Sequence, residues 1–509
     1  MSVQTVLTAS TSGLHADFVR VEADVSNGLP IFHMVGYLSS EVKEASERVR
    51  TAIKNIGFTL PPKKVVVNLS PASVRKKGTA YDLAIAVAVM ASFQMIPSNR
   101  LKNVVFAGEL GLDGRISGVH GVLSIVIDAK KQGIKTCILA NENVKEGRLV
   151  TGIEVLGVST LQEVCDWCKG RLKYENKNIE KERYTQEKLG IDYSDIYGQE
   201  ILKRATLIAV AGNHNVLYIG PPGAGKTMIA KRIPTILPRL ESEESLELTR
   251  IYSHAGLLES ENPLVTIRPF REVNHTATRA ALIGGGHIPR PGEVTLAHGG
   301  VLFLDELAEF SRQALEALRQ PLEEKVVHLV RQNVSYTFPA DFMMVAAMNP
   351  CYCGNYPDVD KCTCTHAQIQ RYLSKISQPF WDRIDICVEA TTVEFSALNE
   401  RRTSETSDSL RAKVERVRNI QLKRFADSGI RTNSQMRKIE LEKWCELDAD
   451  GKRLMAQAYD VLRLTARSYY KILKVARTIA DLEESEKIMS NHLKESLSYR
   501  MVDKKRWGN

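Results

Sequence analysis

Three short stretches hold the residues best suited to chemistry. The first is GPPGAGKT at 220–227, which fits G-x-x-x-x-G-K-[ST]. Apolar NVLYI precedes it and MIAKRI follows it, so it reads as strand, loop and helix start. Glycine at 223 and 225 lets backbone N–H groups turn inward without a Cβ clash. Those donors, from Gly220, Gly223, Ala224 and Gly225 along the loop to the helix N-terminus, form a phosphate cradle, with Pro221 and Pro222 shaping the turn. Pro222 contributes no N–H of its own. Lys226 is spaced to reach β- and γ-phosphates, and the Thr227 hydroxyl to bind Mg²⁺.

The second stretch is GGVLFLDELAEF, four apolar residues followed by Asp305 and Glu306. A buried strand ending in two acids sets Asp305 beside the metal and Glu306 within reach of an attacking water as general base. Alone this is a weak signal; after a phosphate loop it is strong. The third is VAAMNPCYCGNYPDVDKCTCTH at 345–366. Its strand ends in Asn349, which can hold a water against a γ-phosphate. Four of the nine cysteines follow as two C-x-C pairs eight residues apart. Cys351, Cys353, Cys362 and Cys364 can wrap one tetrahedral Zn²⁺, with His366 able to replace a ligand, or they remain free thiols. The CDWC pair, Cys165 and Cys168, has no second pair near it and reads as one face of a helix.

Further along, SQPFWDRIDI places Arg383 at a helix end. It reads either as an arginine finger on a neighbouring subunit's nucleotide or as a surface partner of Asp382 or Asp385.

These groups need elements to position them. At 509 residues, about three domains are expected. Residues 1–168 alternate strands such as KKVVVNLSP and TCILA with the apolar helix YDLAIAVAVMASF. A charged stretch at 169–190 lacks apolar periodicity and reads as a linker or exposed helix. An α/β pattern returns over 191–394, and 395–509 reads as helices. There, YDVLRLTARSYYKILKVARTIADL has the i, i+3, i+4 apolar spacing of a packed helix pair.

Net charge is +9, and the segment from Arg401 to Asn509, with 25 Lys+Arg against 16 Asp+Glu, accounts for all of it. That excess is either a solvated helical surface or a contact with an acidic polymer such as nucleic acid. Aromatic content of 6% argues against base-stacking platforms. No apolar run approaches the ~20 residues that span a bilayer, and no signal-peptide core is present, so a cytoplasmic protein with reduced thiols is expected.

The order of these blocks resembles the YifB/ComM family, the magnesium-chelatase-like AAA+ ATPases of bacteria. Carrying the likeness are DYSDIYGQEILKRA, the phosphate loop, FREVNHTATRAALIGGGHIPRPGEVTLAHGGVLFLDEL, FPADFMMVAAMNPCYCG, WDRIDI and LTARSYYKILKVARTIADL. The resemblance implies three parts: a Lon-protease-like (ribosomal S5 domain 2-like) N-terminal domain, a P-loop AAA+ α/β domain and a C-terminal α-helical lid. It implies ATP and Mg²⁺ as cofactors and a homo-oligomeric ring, six subunits in related proteins. The activity implied is a DNA helicase or branch-migration motor of natural transformation; a chelatase-type or chaperone-type motor on a protein partner is the alternative.

Residue by residue, Lys226 and Thr227 match the P-loop pair, Asp305 and Glu306 the acids, Asn349 sensor 1 and Arg383 the trans arginine finger. Arg467 matches the sensor-2 arginine, with Arg477 as second choice. Tyr197 and Gly198 stand where such ATPases cradle adenine. The hairpin EKVVHLVRQNVSYTFPA carries Arg331 where related ring helicases present a basic residue to DNA, though a solvent-exposed hairpin arginine reads equally well. Where a Lon-type Ser–Lys dyad would stand, the chain has Ala80 and Leu123, which offer neither nucleophile nor base, so peptidase activity is not expected.

Overall fold

A computed structural model describes residues 3–172, 190–286, 289–331, 334–358, 360–391 and 405–507. Most of the linker expected at 169–190, and part of the junction near 395, lie outside the described residues.

The N-terminal part is built on a seven-stranded mixed sheet. Its order is Phe32–Val35, Lys64–Ser70, His15–Ser26, Gln4–Ser12, Val104–Ala107, Thr136–Ala140 and Glu154–Val158. Period-two patterning explains the strands: in KVVVNLS the buried positions are Val65, Val67 and Leu69. The helix Asp82–Ser92 is buried at every position, as its apolar composition demands. Its one acid, Asp82, is neutralised by Arg48, whose Nε and Nη2 donate at 2.7 and 3.0 Å. Leu123 is fully buried and its backbone N–H donates to Glu146 Oε1 at 2.7 Å.

The second sheet is all-parallel, ordered Phe270–Val273, Val301–Leu304, Met343–Met348, Val216–Ile219 and Ile386–Glu389. The three strands Val216–Ile219, Val301–Leu304 and Met343–Met348 are buried throughout, which is why they read as unbroken apolar runs. The strand of this sheet that comes earliest in the chain, Val216–Ile219, lies between Met343–Met348 and Ile386–Glu389. Strand order reverses there, so a crevice opens at the carboxyl ends of the strands.

The C-terminal part is helical: Ser407–Arg424, Lys438–Trp444, Ala449–Val461, Ala466–Leu482 and Ser490–Trp507. The expected helix pair is present, broken at Arg463 (φ 45°) and restarted by the Thr465 hydroxyl accepting from Ser468 N at 3.2 Å. The parts are latched together by polar contacts. Arg250 on the helix Ser242–Ala255 bonds Asp128 at 3.3 Å, and Lys471 bonds Asp385 at 2.9 Å. Among the described residues no helix is long and apolar enough to cross a membrane.

Candidate functional site: a phosphate loop at the sheet edge

The strand Val216–Ile219 runs into the loop 220–225, and the helix Lys226–Ile236 begins directly after it. Gly223 (φ +76°) and Gly225 (φ +78°) take the left-handed conformation that the turn requires, and nothing fills the space in front of either. The first N–H groups of the helix lack intrahelical acceptors. The register pairs Ile219 with Met348 and Leu304 with Ala346, so the three strands end at one edge. Sequence positions 220–227, 305–306 and 349 are thereby gathered.

Two contacts tie them. Thr227 Oγ1 donates to Asp305 Oδ2 at 2.8 Å, and Lys226 Nζ donates to Asn349 Oδ1 at 3.3 Å. Lys226 also donates to the carbonyls of Gly220 (2.7 Å) and Pro221 (2.8 Å). Burial pulls the Lys226 pKa down, and the nearby Asp305 opposes that shift. Asp305 Oδ1 accepts from Glu306 N at 2.9 Å, so the hydroxyl–carboxylate pair presents two fixed hard oxygens, a donor set suited to Mg²⁺. Glu306 sits in the left-handed region (φ 53°), 59% exposed, with Oε2 3.4 Å from His275 Nδ1.

Tyr197 is exposed and Gly198 has φ 61°. They are brought to the phosphate loop by Gln199, whose Nε2 donates to Ala224 O at 3.0 Å and also to Thr391 O. Neither Gln199 nor His275 was signalled by a motif. Gln199 in the YGQE run follows the predicted adenine residues, and that position was its only clue.

Arg383 and Arg467 stand apart from this cluster. Arg383 precedes Ile386, which pairs with Val216, the first residue of the phosphate-loop strand. It therefore lies at the amino-terminal edge of the sheet, opposite the loop. Its ion-pair partner is neither Asp382 nor Asp385 but Glu323, and its Nη1 donates to Pro379 O. Asp385 is occupied by Lys471 and by the backbone N–H of Asn215 at 3.0 Å. Arg467 is 66% exposed and lies 3.9 Å from Asp382, on the same edge. Arg477 is buried against Asp481 (3.1 Å) and donates to Glu486 O at 2.7 Å, which commits it to holding the helical region together.

Arg331 is exposed at the end of the hairpin Val326–Arg331 with Val334–Pro339, whose tip at 332–333 lies outside the described residues. Its guanidinium is 3.8 Å from where a Cβ on Gly285 would stand, so two loops meet there.

The four clustered cysteines converge. Their sulfurs all lie within 4.8 Å of one another. Cys351–Cys353, Cys353–Cys362 and Cys351–Cys362 are 3.4, 3.5 and 3.8 Å apart. A disulfide needs roughly 2 Å. Tetrahedral zinc thiolate, with Zn–S near 2.3 Å, places sulfurs about 3.8 Å apart. The set thus fits a metal. The Asn355 backbone N–H pulls the Cys353 thiol down to about 6. His366 is exposed at the start of the helix His366–Leu373 and is not among the converging groups. Cys165 and Cys168 face the N-terminal core, where burial pushes them up to about 11 and about 12.

A phosphate loop at the reversal point of an all-parallel sheet, with an acid pair and a polar strand end beside it, defines a P-loop nucleotide-binding protein. The comparisons refine that class. Residues 192–398 match the family model "Magnesium chelatase, subunit ChlI", 21–143 match "Subunit ChlI of Mg-chelatase", and 404–500 match the ChlI C-terminal model. The chain is 40% identical over 508 residues to competence protein ComM of Haemophilus influenzae, covering 99% of this chain and 98% of that protein. It is 40% identical over 505 residues to the uncharacterized protein YifB of Escherichia coli, with the same coverage. Lon protease 2 of Bacillus subtilis matches at 28% identity over 128 residues, 25% of this chain and 23% of that one. The chain belongs to the YifB/ComM family of magnesium-chelatase-like AAA+ proteins.

Proposed function

We propose that this protein is an ATP-hydrolysing ring motor that acts on DNA. The observation that carries the reading is the pairing of Thr227 with Asp305 and of Lys226 with Asn349 at one sheet edge, with Glu306 exposed beside them. The loop N–H groups and Lys226 bind the phosphates. Thr227 and Asp305 hold Mg²⁺, which when bound neutralises charge on the phosphate oxygens. Asn349 orients the attacking water, and Glu306 takes its proton. Tyr197 and Gly198 receive the adenine.

Arg383, the arginine of the finger type, is at the edge opposite this site and does not reach it within its own chain. A neighbour supplies that arginine, and a head-to-tail contact of that kind closes into a ring, a hexamer in keeping with the family. Arg467, on the same edge, acts with Arg383 on the neighbour's nucleotide. The cysteine cluster holds one Zn²⁺ in a structural role.

The DNA assignment is supported by exposed Arg331 and by the basic excess after residue 400, and by the competence name of a full-length relative. The test is ATP turnover with and without forked DNA, at rising salt. Stimulation that fades steeply with salt supports phosphate contacts. Turnover indifferent to DNA but raised by a protein partner would move the assignment to a protein-remodelling motor.

A further inference from the structure

The cysteine loop does not stand clear of the nucleotide site; it lies against it. Gly354 has φ +82°, and a Cβ there would stand 2.6 Å from Pro222 Cδ and 3.0 Å from Cγ. The backbone of the cysteine loop therefore packs directly on the phosphate loop. It is fixed at that point by Gly354 N donating to Cys351 O at 3.1 Å, and Cys351 is fully buried. Two residues earlier, Asn349 accepts from Lys226.

The far side of the loop is anchored too. The Tyr352 ring meets Tyr372 edge-on at 4.9 Å, and Lys375 lies over both rings at 5.2 and 5.5 Å. Lys375 also pairs with Glu309 at 3.0 Å, three residues beyond Glu306. The loop thus spans from the phosphate loop to the segment that carries the acid pair.

The geometry points to the tetracysteine loop as a positioning element for the phosphate loop, so that metal occupancy of the four thiols sets the affinity for ATP. This rests on the reading of the cluster as a metal site. The physical reason is entropic. Four ligands on one ion close the segment 351–364, and without them that segment regains its freedom and Pro222 loses the surface behind it. Gly354 acts through Pro222 and touches no reacting atom, so it is a positioning residue.

The test uses the full chain and reads binding, not turnover. Metal content and the affinity for a fluorescent ATP analogue, without Mg²⁺, are measured as purified, after stripping with a chelator, and after adding back zinc chloride. Stripping should weaken binding by about tenfold or more, a loss of about 1.4 kcal/mol or more, and zinc should restore it, which also shows that the stripped chain is still folded. Gly354→Ala should keep its metal yet bind the analogue several-fold more weakly. Its turnover at saturating ATP should stay near wild type, since the loop sets binding and not proton transfer. Stripped protein that retains full affinity, together with unchanged binding by Gly354→Ala, would overturn the inference and leave the metal site standing. A chain that carries no metal and takes none up would overturn the metal reading, and the metal dependence with it.

Discussion

Arg383 is paired with Glu323 while its side chain is only 8% exposed, at the sheet edge opposite the phosphate loop. Its Nε is buried without a hydrogen-bond acceptor. The side chain is thus held, but not fully satisfied, within its own subunit. In the proposed ring, an arginine held in this way serves a neighbour's nucleotide and not its own.

The first prediction follows. Arg383→Ala and Lys226→Ala should each be nearly inactive as ATPases, the first still binding ATP. Mixed together, they should form some interfaces with an intact phosphate loop on one chain and an intact arginine on the next, and activity should partly return. Subunit exchange is checked with labelled chains. Confirmed mixed rings without activity would make Arg383 a purely structural ion-pair residue.

Glu306→Gln should retain nucleotide binding and lose roughly 10²-fold or more in turnover, because the amide cannot accept the water's proton. The left-handed backbone at this position is unchanged by the substitution, so folding should be normal by circular dichroism. A wild-type hydrolysis rate would assign the base elsewhere.

Purified protein should carry about one zinc per chain. In a Cys362→Ser/Cys364→Ser variant it should be gone, since two ligands of four cannot hold it. Metal analysis of protein prepared without chelator decides this directly.

His214 provides a pH test. Burial pushes its pKa from 6.5 down to about 4, against the pull of Asp385. Its Nε2 shares a hydrogen bond with Thr478 Oγ1 at 2.8 Å, joining the start of the phosphate-loop strand to the C-terminal helices. Between pH 6.5 and 4 the unfolded chain takes up a proton there that the folded chain resists. The contribution is therefore complete above pH 6.5 and is lost as pH falls toward 4, up to about 3 kcal/mol. Denaturation midpoints should fall over that window, and His214→Gln should flatten the fall relative to wild type. Equal slopes for the two proteins would mean His214 titrates normally.

Much of this protein was legible in its sequence because the chemistry is carried by contiguous residues. GPPGAGKT needs only local backbone freedom at its glycines. A run of apolar residues ending in Asp-Glu declares a buried strand whose acids emerge at its end. Two C-x-C pairs announce a four-thiol cluster whatever surrounds them. The α/β alternation over 191–394, the buried helix Asp82–Ser92 and the helical C-terminus followed from periodicity in the same way. Other relationships depended on strand order, which local pattern does not encode. That Arg383 faces away from its own phosphate loop depends on Ile386–Glu389 lying parallel to Val216–Ile219. Its partner Glu323 is sixty residues distant, while Asp382 and Asp385, the neighbours that the local sequence suggested, are taken by Arg467 and Lys471. Gln199 under Ala224, His275 beside Glu306 and Gly354 against Pro222 are likewise contacts between separate segments. Each arises only when the whole core has packed, because burial of the sheet's two faces decides which loops share an edge.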